Sequence, residues 1–386
     1  MANTLTDLIP TLYMALDVVS RELVGFIPAV TRDSNVARAA VGQTVRSFIA
    51  PAVTAGNITP AVTPPDDGEQ TIGNITLGIT KARRIPIRWQ GEESLQMNNG
   101  GPGVRAIMVD QFAQGMRTLC NEIETDLAAL HITTSRAFGT ATTNPFATNL
   151  TDTANVRKIL SDNGAPLSDM QLVIDTGAGA AMRTLTQLTK ANEAADQSML
   201  RQGVLLDVHG LQIRESAQVK RPVAGTMAAA TTNAAGYAVG DTVITLAGTI
   251  TGVIAVGDII TITGDTNKYV LAAVSNTTPA AGTTITLAAP GLRIAIAAAA
   301  TAITVVAISS RNMAFARSAL ILATRMPALP EGGDMAKDRT IITDPRSGLS
   351  FEVANYLQYR QTQFEISVAW GVKNVKVENT AILLGA

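Results

Sequence analysis

The chain has little of what marks a secreted, metal-binding or catalytic protein. Cys120 is the only cysteine among 386 residues, so no disulfide framework can form within one chain. It reads as a small buried hydrophobe. His131 and His209 are the only histidines, and neither stands at metal-ligand spacing from a second His or from the cysteine. No metal and no cofactor is expected. The sequence contains no P-loop, no Gly-x-Ser-x-Gly and no zinc signature. Met1 to Asp7 lacks the basic start and apolar core of a secretory leader. The longest apolar run, Ile294 to Ile308, falls short of the roughly 18 residues a membrane span needs. These absences predict a soluble protein made in a reducing compartment, with no membrane partner.

Charge is scarce too. Charged residues make up 16% of the chain, against about 25% in ordinary domains. The 30 basic and 31 acidic side chains nearly cancel, so no strongly basic nucleic-acid-binding face is indicated. Low charge fits a protein that buries much surface against other subunits. A Thr- and Ala-rich β domain would give the same figure.

What the sequence does contain is one long amphipathic helix. Apolar residues recur at Val104, Ile107, Met108, Phe112, Met116, Leu119, Ile123, Leu127 and Leu130. Steps of three and four keep one stripe facing a core. At 1.5 Å per residue such a helix is roughly 40 Å long, and it spans a domain. An earlier helix is predicted from Leu12, Leu16, Val19 and Leu23, with Thr6 as a cap and Pro10 near its first turn. Between the two, Thr44 to Ile49 reads as a strand. Pro51, Gly56, Pro60, Pro64, Pro65 and Gly68 then break the chain, and Ile72, Ile75, Leu77, Ile79, Ile85, Ile87 and Trp89 resume an extended pattern. This predicts a two-stranded arm from Gly42 to Trp89. Such a ribbon is only marginally stable in water and needs something to lie on, such as another subunit. Arg46, Lys81, Arg83, Arg84 and Arg88, with Glu92 and Glu93 following, are the candidate subunit-interface charges; buried between subunits, they would set register more than affinity.

After the long helix, Asp152 is placed to cap a helix through Leu160, ended by Asn163-Gly164. Met170 to Ile174 reads as a buried strand, Gly177 to Lys190 as a helix, and Val204 to Ile213 as a hairpin turned at His209-Gly210. Val223 to Ser310 is different. It holds five charged residues in 88, against 56 in the other 298. Short Val/Ile/Thr runs lie between glycines: Thr242 to Leu246, Ile259 to Thr263, Tyr269 to Val274, Thr283 to Leu287 and Ala302 to Ile308. Gly240-Asp241 and Gly257-Asp258 each open one, a faint internal echo. A small β-barrel or sandwich inserted into another domain is predicted. From Arg339 onward the chain is strand-like, with Phe364, Ile366, Val368 and Trp370 alternating, as do Val375 and Val377.

One motif points to chemistry. Leu172-Val173-Ile174-Asp175-Thr176-Gly177 resembles the active-site strand and turn of aspartic proteases. Those enzymes need two carboxylates sharing a proton. No second Asp-Thr-Gly or Asp-Ser-Gly occurs, so only a homodimer could supply the pair; otherwise Asp175 is a helix cap. Gly177-Ala178-Gly179 has Met182 where a dinucleotide loop needs its third glycine.

Several segments together resemble the major capsid (coat) proteins of tailed phages, specifically the short-tailed phages (podoviruses). They are Met1-Ala-Asn-Thr-Leu-Thr-Asp-Leu-Ile-Pro10 with Val24-Gly25-Phe26-Ile27-Pro28; Asp110-Gln111-Phe112-Ala113-Gln114-Gly115-Met116-Arg117; Val208-His209-Gly210-Leu211-Gln212-Ile213-Arg214-Glu215-Ser216; Gly348-Leu349-Ser350-Phe351-Glu352-Val353; and Ile366-Ser367-Val368-Ala369-Trp370-Gly371. The resemblance implies an α+β chain with the Hong Kong 97-type capsid fold and an inserted all-β domain. It implies an N-terminal arm (1–41), an extended loop (42–95), a spine helix in a peripheral domain (96–151), an axial domain (152–222), the insert (223–310) and completion of the axial and peripheral domains (311–386). Members are not enzymes. They form hexamers and pentamers of an icosahedral shell around double-stranded DNA, with a scaffolding protein and a portal protein as partners, in the host cytoplasm during assembly and in the virion afterwards. Within the same fold the alternative is a cellular encapsulating nanocompartment, which lacks such an insert. The remote alternative is the homodimeric aspartic protease.

Overall fold

The computed structural model describes residues 25–49, 57–60, 62–63, 73–100, 104–185, 188, 207–343 and 348–386. The helix predicted around Leu12 to Leu23, the Pro/Gly-rich tip from Pro51 to Glu69 (apart from 57–60 and 62–63) and the first residues of the hairpin predicted at Val204 lie outside the described residues.

In chain order, a one-turn helix α1 (Phe26–Ala29) precedes β1 (Thr31–Ala39), β2 (Thr44–Ile49), β3 (Gly73–Gly78), β4 (Lys81–Gln90), helix α2 (Gly91–Gly100) and the long helix α3 (Val104–Ala129). Next come β5 (Arg136–Gly139), α4 (Thr151–Asp162), β6 (Met170–Ile174), α5 (Thr176–Thr184) and β7 (Leu211–Glu215). Six short strands follow: β8 (Ala230–Thr232), β9 (Val243–Ala247), β10 (Ile259–Ile262), β11 (Lys268–Val274), β12 (Thr284–Leu287) and β13 (Ala302–Val305). The chain closes with β14 (Ser310–Ala316), β15 (Leu320–Pro327), β16 (Ala336–Thr343), β17 (Ser350–Gln358), β18 (Gln361–Asn374) and β19 (Thr380–Gly385).

The helix and the alternating C-terminal strand were predicted separately, and each buries the other. Met108, Phe112, Met116, Leu119, Ile123 and Leu127 line one stripe of α3, and Phe364, Ile366, Val368 and Trp370 line one face of β18; all belong to one core. Each fully buried side chain of this size contributes roughly 1.5–3 kcal/mol. The Phe112 and Phe364 rings meet edge to face with centroids 5.7 Å apart. Gly115 lets the helix come close, since a Cβ there would stand 3.1 Å from Ile366 Cδ1. β18 is the hub of a six-stranded sheet. One edge pairs with β4 throughout Gln361 to Trp370; the other pairs with β17, then with β15.

The arm is shorter than predicted. Only β2 and β3 form the two-stranded ribbon. The return strand β4 leaves it at Thr80, whose N–H donates to the Trp370 carbonyl, and joins the six-stranded sheet. The apolar side chains Ile87 and Trp89 decide this, because they are buried in the main core. The base of the ribbon sits on the body through Leu77 and Ile79, beside Ala323 and Ala369.

A second sheet carries β14 at its centre, with β6 and β7 on one side and β19 and β5 on the other. From β5 the hydrogen bonding continues into β11. There the six short strands form a ring in the order β10, β13, β8, β9, β12, β11, and it closes because β10 also pairs β11. The predicted sandwich-or-barrel is therefore a closed barrel, which leaves no free strand edge. Ile244, Leu246, Ile260, Ile262, Leu271, Ile285 and Leu287 fill it. The five predicted strands all form; β8, three residues of Ala and Thr, carried too little pattern to be seen. The echo is structural. In Ala238–Asp241 and Ala255–Asp258 the Ala N–H donates to the Asp Oδ2 at 2.7 Å and the Asp N–H returns to the Ala carbonyl at 3.2 Å. Gly240 and Gly257 have φ of +95° and +88°, which glycine adopts freely. Ala280–Thr283 repeats the turn with a threonine hydroxyl as acceptor.

Local expectations meet the structure at four places. Asp152 does not cap α4; Leu150 holds that position, and Asp152 Oδ2 accepts the Phe146 N–H at 2.8 Å. Helix α5 breaks at Leu185, which turns extended; of the predicted continuation to Lys190 only Leu188 is described, and it is helical. His209-Gly210 forms the predicted tight turn, with φ of +54° and +76°, and Val208 and Leu211 pair antiparallel across it; β7 runs on parallel to β6, and the start of the predicted hairpin lies outside the described residues. Val375 and Val377 do not alternate in a strand, because the chain leaves β18 after Asn374 and makes a single 3-10 turn, Val377–Asn379.

Candidate assembly surface

Glu124 is the polar member of the buried α3 stripe, at 1% exposure. Its Oε1 accepts the Ile27 N–H at 2.6 Å, and its Oε2 accepts Phe26 N–H at 3.0 Å and Ser216 Oγ–H at 2.9 Å. Burial raises its pKa, and these donors oppose the rise. The carboxylate thus ties the start of the described chain to the spine helix and to the residue after β7. Gly25 is required by that convergence, since a Cβ would stand 2.8 Å from both the Glu215 carbonyl oxygen and Ser216 Cβ. Glu124 was missed in the sequence. The available signal was its position, four residues after Cys120 and four before Ala128, both on the buried stripe.

The basic residues of β4 do not form one basic side. Lys81 and Arg83 point to α3: Lys81 Nζ is 2.7 Å from Asp126 and Arg83 Nε is 2.9 Å from Glu122. Asp126 also accepts the Trp370 indole N–H at 2.8 Å. Arg84 and Arg88 point to the opposite face of the sheet, to Glu365 at 2.8 Å and to Gln363 at 3.0 Å. Arg46 lies exposed on the ribbon, and Glu92 and Glu93 are exposed in the first turn of α2. Glu93 accepts the Gln90 N–H at 3.2 Å. The period of two in a strand puts neighbours on opposite faces, so this run could not share one surface.

The sheet face away from α3 carries a polar network that sequence patterns did not reveal. Glu352, 1% exposed, receives Arg38 at 2.8 Å and also pairs with Arg339. Arg339 pairs in turn with Asp334, and Tyr356 Oη–H donates to Asp334 at 2.7 Å. Arg339 holds the Asp334 carboxyl well below the usual carboxylate range. Burial, with the bond to Asp334, pushes Tyr356 up to about 12. Glu352, Arg339, Asp334 and Tyr356, with Arg83, Arg84, Glu365 and Pro327 to Pro330, line an open cavity of about 440 Å³. Among the described residues no group of His, Cys, Asp and Glu is arranged to hold a metal ion, and no helix is long and apolar enough to cross a membrane. Asp175 caps α5, accepting the Ala178 N–H at 3.1 Å.

Four of the barrel's five charged residues gather at its junction with the body; the fifth, Asp241, holds the Ala238–Asp241 turn. Lys268 Nζ donates to the Gly139 carbonyl. Arg293 donates to the Asp162 carbonyl at 3.3 Å, and Arg136 reaches Asn267 and Asn163, both at 2.9 Å. Asp265 accepts from Tyr269. Asp258 accepts the Gly225 N–H at 3.1 Å and faces Arg311. Arg311 is 1% exposed, its Nε and Nη1 have no hydrogen-bond partner among the described residues, and burial lowers its pKa to about 10.

No family model matches the sequence, and no curated protein matches it. Solved structures are similar over nearly the whole chain. A chain of Mycobacterium phage Che8 is 12% identical, with 90% of this chain and 88% of that one covered, at a TM-score of 0.44. The capsid of cyanophage P-SCSP1u gives 11% identity, 95% and 89% coverage, and a TM-score of 0.48. A virus-like particle from Pyrococcus furiosus gives 10%, 97% and 98%, and 0.44.

Proposed function

We propose that this chain is a major capsid protein of the short-tailed phage type. Copies of it join as hexamers and pentamers of an icosahedral shell that encloses double-stranded DNA, with a scaffolding protein and a portal protein as partners. Assembly takes place in the host cytoplasm and the product is the virion. The observation that carries this reading is the ribbon of β2 and β3, which leaves the body and, among the described residues, is seated on it in apolar contact only at its base. A two-stranded ribbon is not stable alone, so a neighbouring copy is its support. The segment order supports the reading: arm, ribbon, long helix across a sheet, second sheet, inserted barrel. Arg46, Glu92 and Glu93 are exposed and placed for a neighbouring copy, whereas Lys81, Arg83, Arg84 and Arg88 also steady their own subunit. The role is structural, with no catalytic step: Asp175, the one protease-like residue, works as a helix cap. The barrel weighs against the nanocompartment.

The test is electron microscopy and sedimentation of the purified protein, alone and with its scaffolding protein. Closed particles or capsomers are expected. A compact monomer under both conditions sinks the proposal.

A further inference from the structure

Little regular structure sets the angle at which the barrel stands on the body. The segments that join the two, 216–227 and 306–309, are described throughout and contain no helix or strand. Strand β11 meets β5 over two residue pairs, Lys268 with Ala137 and Tyr269 with Arg136. The apolar seat is small: Ile259, Val270 and Ala288 of the barrel pack with Ala137, Ile382 and Leu384 of the body. Apolar burial is non-directional, so this seat holds the barrel down without fixing how it points.

Hydrogen bonds supply the direction, because their strength depends on angle. Arg136, on β5 and 2% exposed, reaches both sides of the junction. Its Nη1–H donates to Asn267 Oδ1 in the barrel and its Nη2–H to Asn163 Oδ1 in the body, both at 2.9 Å. Each partner is itself held. Asn267 Nδ2–H donates to Asp265 Oδ1 at 2.7 Å, and Asn163 Nδ2–H to the Glu378 carbonyl at 2.8 Å. From Asp265 the bonds run back to the body. Its Oδ2 accepts the Tyr269 hydroxyl at 2.5 Å, Tyr269 Oη accepts the Arg293 N–H at 3.0 Å, and Arg293 Nη2–H donates to the Asp162 carbonyl at 3.3 Å. Burial, with the bond to Asp265, raises the Tyr269 pKa, so its hydroxyl stays a donor at neutral pH. Asp162 and Asn163 are neighbours at the end of α4. The circuit therefore closes, and it crosses the junction twice. Arg136 can serve both halves because a planar guanidinium forks to two acceptors at once.

We infer that this circuit is a lock that fixes the orientation of the barrel on the body, with Arg136 as its positioning residue. On the capsid reading, every copy then presents its barrel at one angle. The test uses unassembled full-length subunits, so its result is separate from that reading. Spin labels go on Lys158→Cys in α4 and Thr249→Cys in the barrel, both exposed sites; Cys120 is buried. Pulsed electron paramagnetic resonance then reads the distance between body and barrel. With the lock intact the distribution should be single and narrow. Arg136→Met, which keeps the apolar stem and loses the fork, should broaden it, and so should Asn267→Ala, which removes the barrel's acceptor. The Val270 N–H, which donates to the Ser135 carbonyl across the junction at 3.4 Å, should exchange about tenfold faster in both variants. The Leu246 N–H, bonded to the Thr283 carbonyl inside the barrel at 2.8 Å, should keep its protection. A distribution as narrow in Arg136→Met as with the lock intact overturns the inference. So does a distribution already broad with the lock intact, or a loss of protection at Leu246 together with Val270, which would make Arg136 a residue that stabilises the fold and nothing more. If Arg136→Met does not fold, Asn267→Ala decides: a broadened distribution supports the lock, and a narrow one overturns it.

Discussion

Replacing Glu124 tests how the spine helix holds the start of the described chain. In Glu124→Leu the side chain keeps its bulk, but the Phe26 and Ile27 N–H groups and the Ser216 hydroxyl lose their acceptor. Each buried donor left unsatisfied costs about 1–3 kcal/mol, and relief of the desolvated charge offsets part of the sum. A net loss of about 3 kcal/mol is expected, comparable to removing one partner of a buried pair. Glu124→Gln keeps one acceptor oxygen, so its loss should be smaller, about 1 kcal/mol. Urea unfolding of unassembled subunits reads both; at a slope near 3 kcal/mol per molar, the leucine variant's midpoint falls by about 1 M. Hydrogen exchange should show the Phe26 and Ile27 amides exposed first. The pH dependence has a definite sign. Burial raises the folded pKa of Glu124 above its ordinary 4.5. The folded chain therefore holds that proton more tightly than the unfolded chain. The group's stabilisation is complete below the unfolded value and lost as pH rises through the folded one. Glutamine does not titrate, so the gap between wild type and Glu124→Gln should narrow as pH rises from acid to neutral. A leucine variant with the wild-type midpoint, or with Phe26 and Ile27 still protected, would refute the reasoning.

Other expectations follow from the same geometry. Phe112→Ala empties the centre of the helix–sheet core and should cost about 3–5 kcal/mol in urea unfolding. Gly371→Ala would put a Cβ 2.0 Å from the Gly78 carbonyl oxygen; the base of the ribbon must move, and faster exchange at Gly78 and Ile79 would show it. Tyr356 is raised to about 12, so its contribution is present below 10 and is lost as pH rises through 12; Tyr356→Phe should flatten that alkaline loss, and an unchanged slope counts against the Tyr356–Asp334 bond. If a neighbouring copy supports the ribbon, amide exchange across 43–49 and 73–78 should slow on assembly, and equal protection in both states argues for a ribbon that stands alone.

Periodicity carried much of the fold. Steps of three and four located α3, alternation located β18, and Val/Ile/Thr runs between glycines located five barrel strands, because burial of one face leaves a regular mark on the sequence. It could not show that β4 quits the ribbon for the main sheet, or that Lys81 and Arg84, three residues apart, serve opposite faces. Those outcomes depend on which partner strand is in reach. Nor did it reveal Glu124, Arg311 or Glu352, since a buried charge is identified by donors and acceptors far away in the chain: Phe26 lies 98 residues from Glu124. The sequence by itself determined the helix, most of the strands and the poverty of charge in the insert. Only the tertiary structure decided that the barrel closes and that four of its five charged residues lie at its junction with the body, because ring closure and burial are properties of pairings between distant segments.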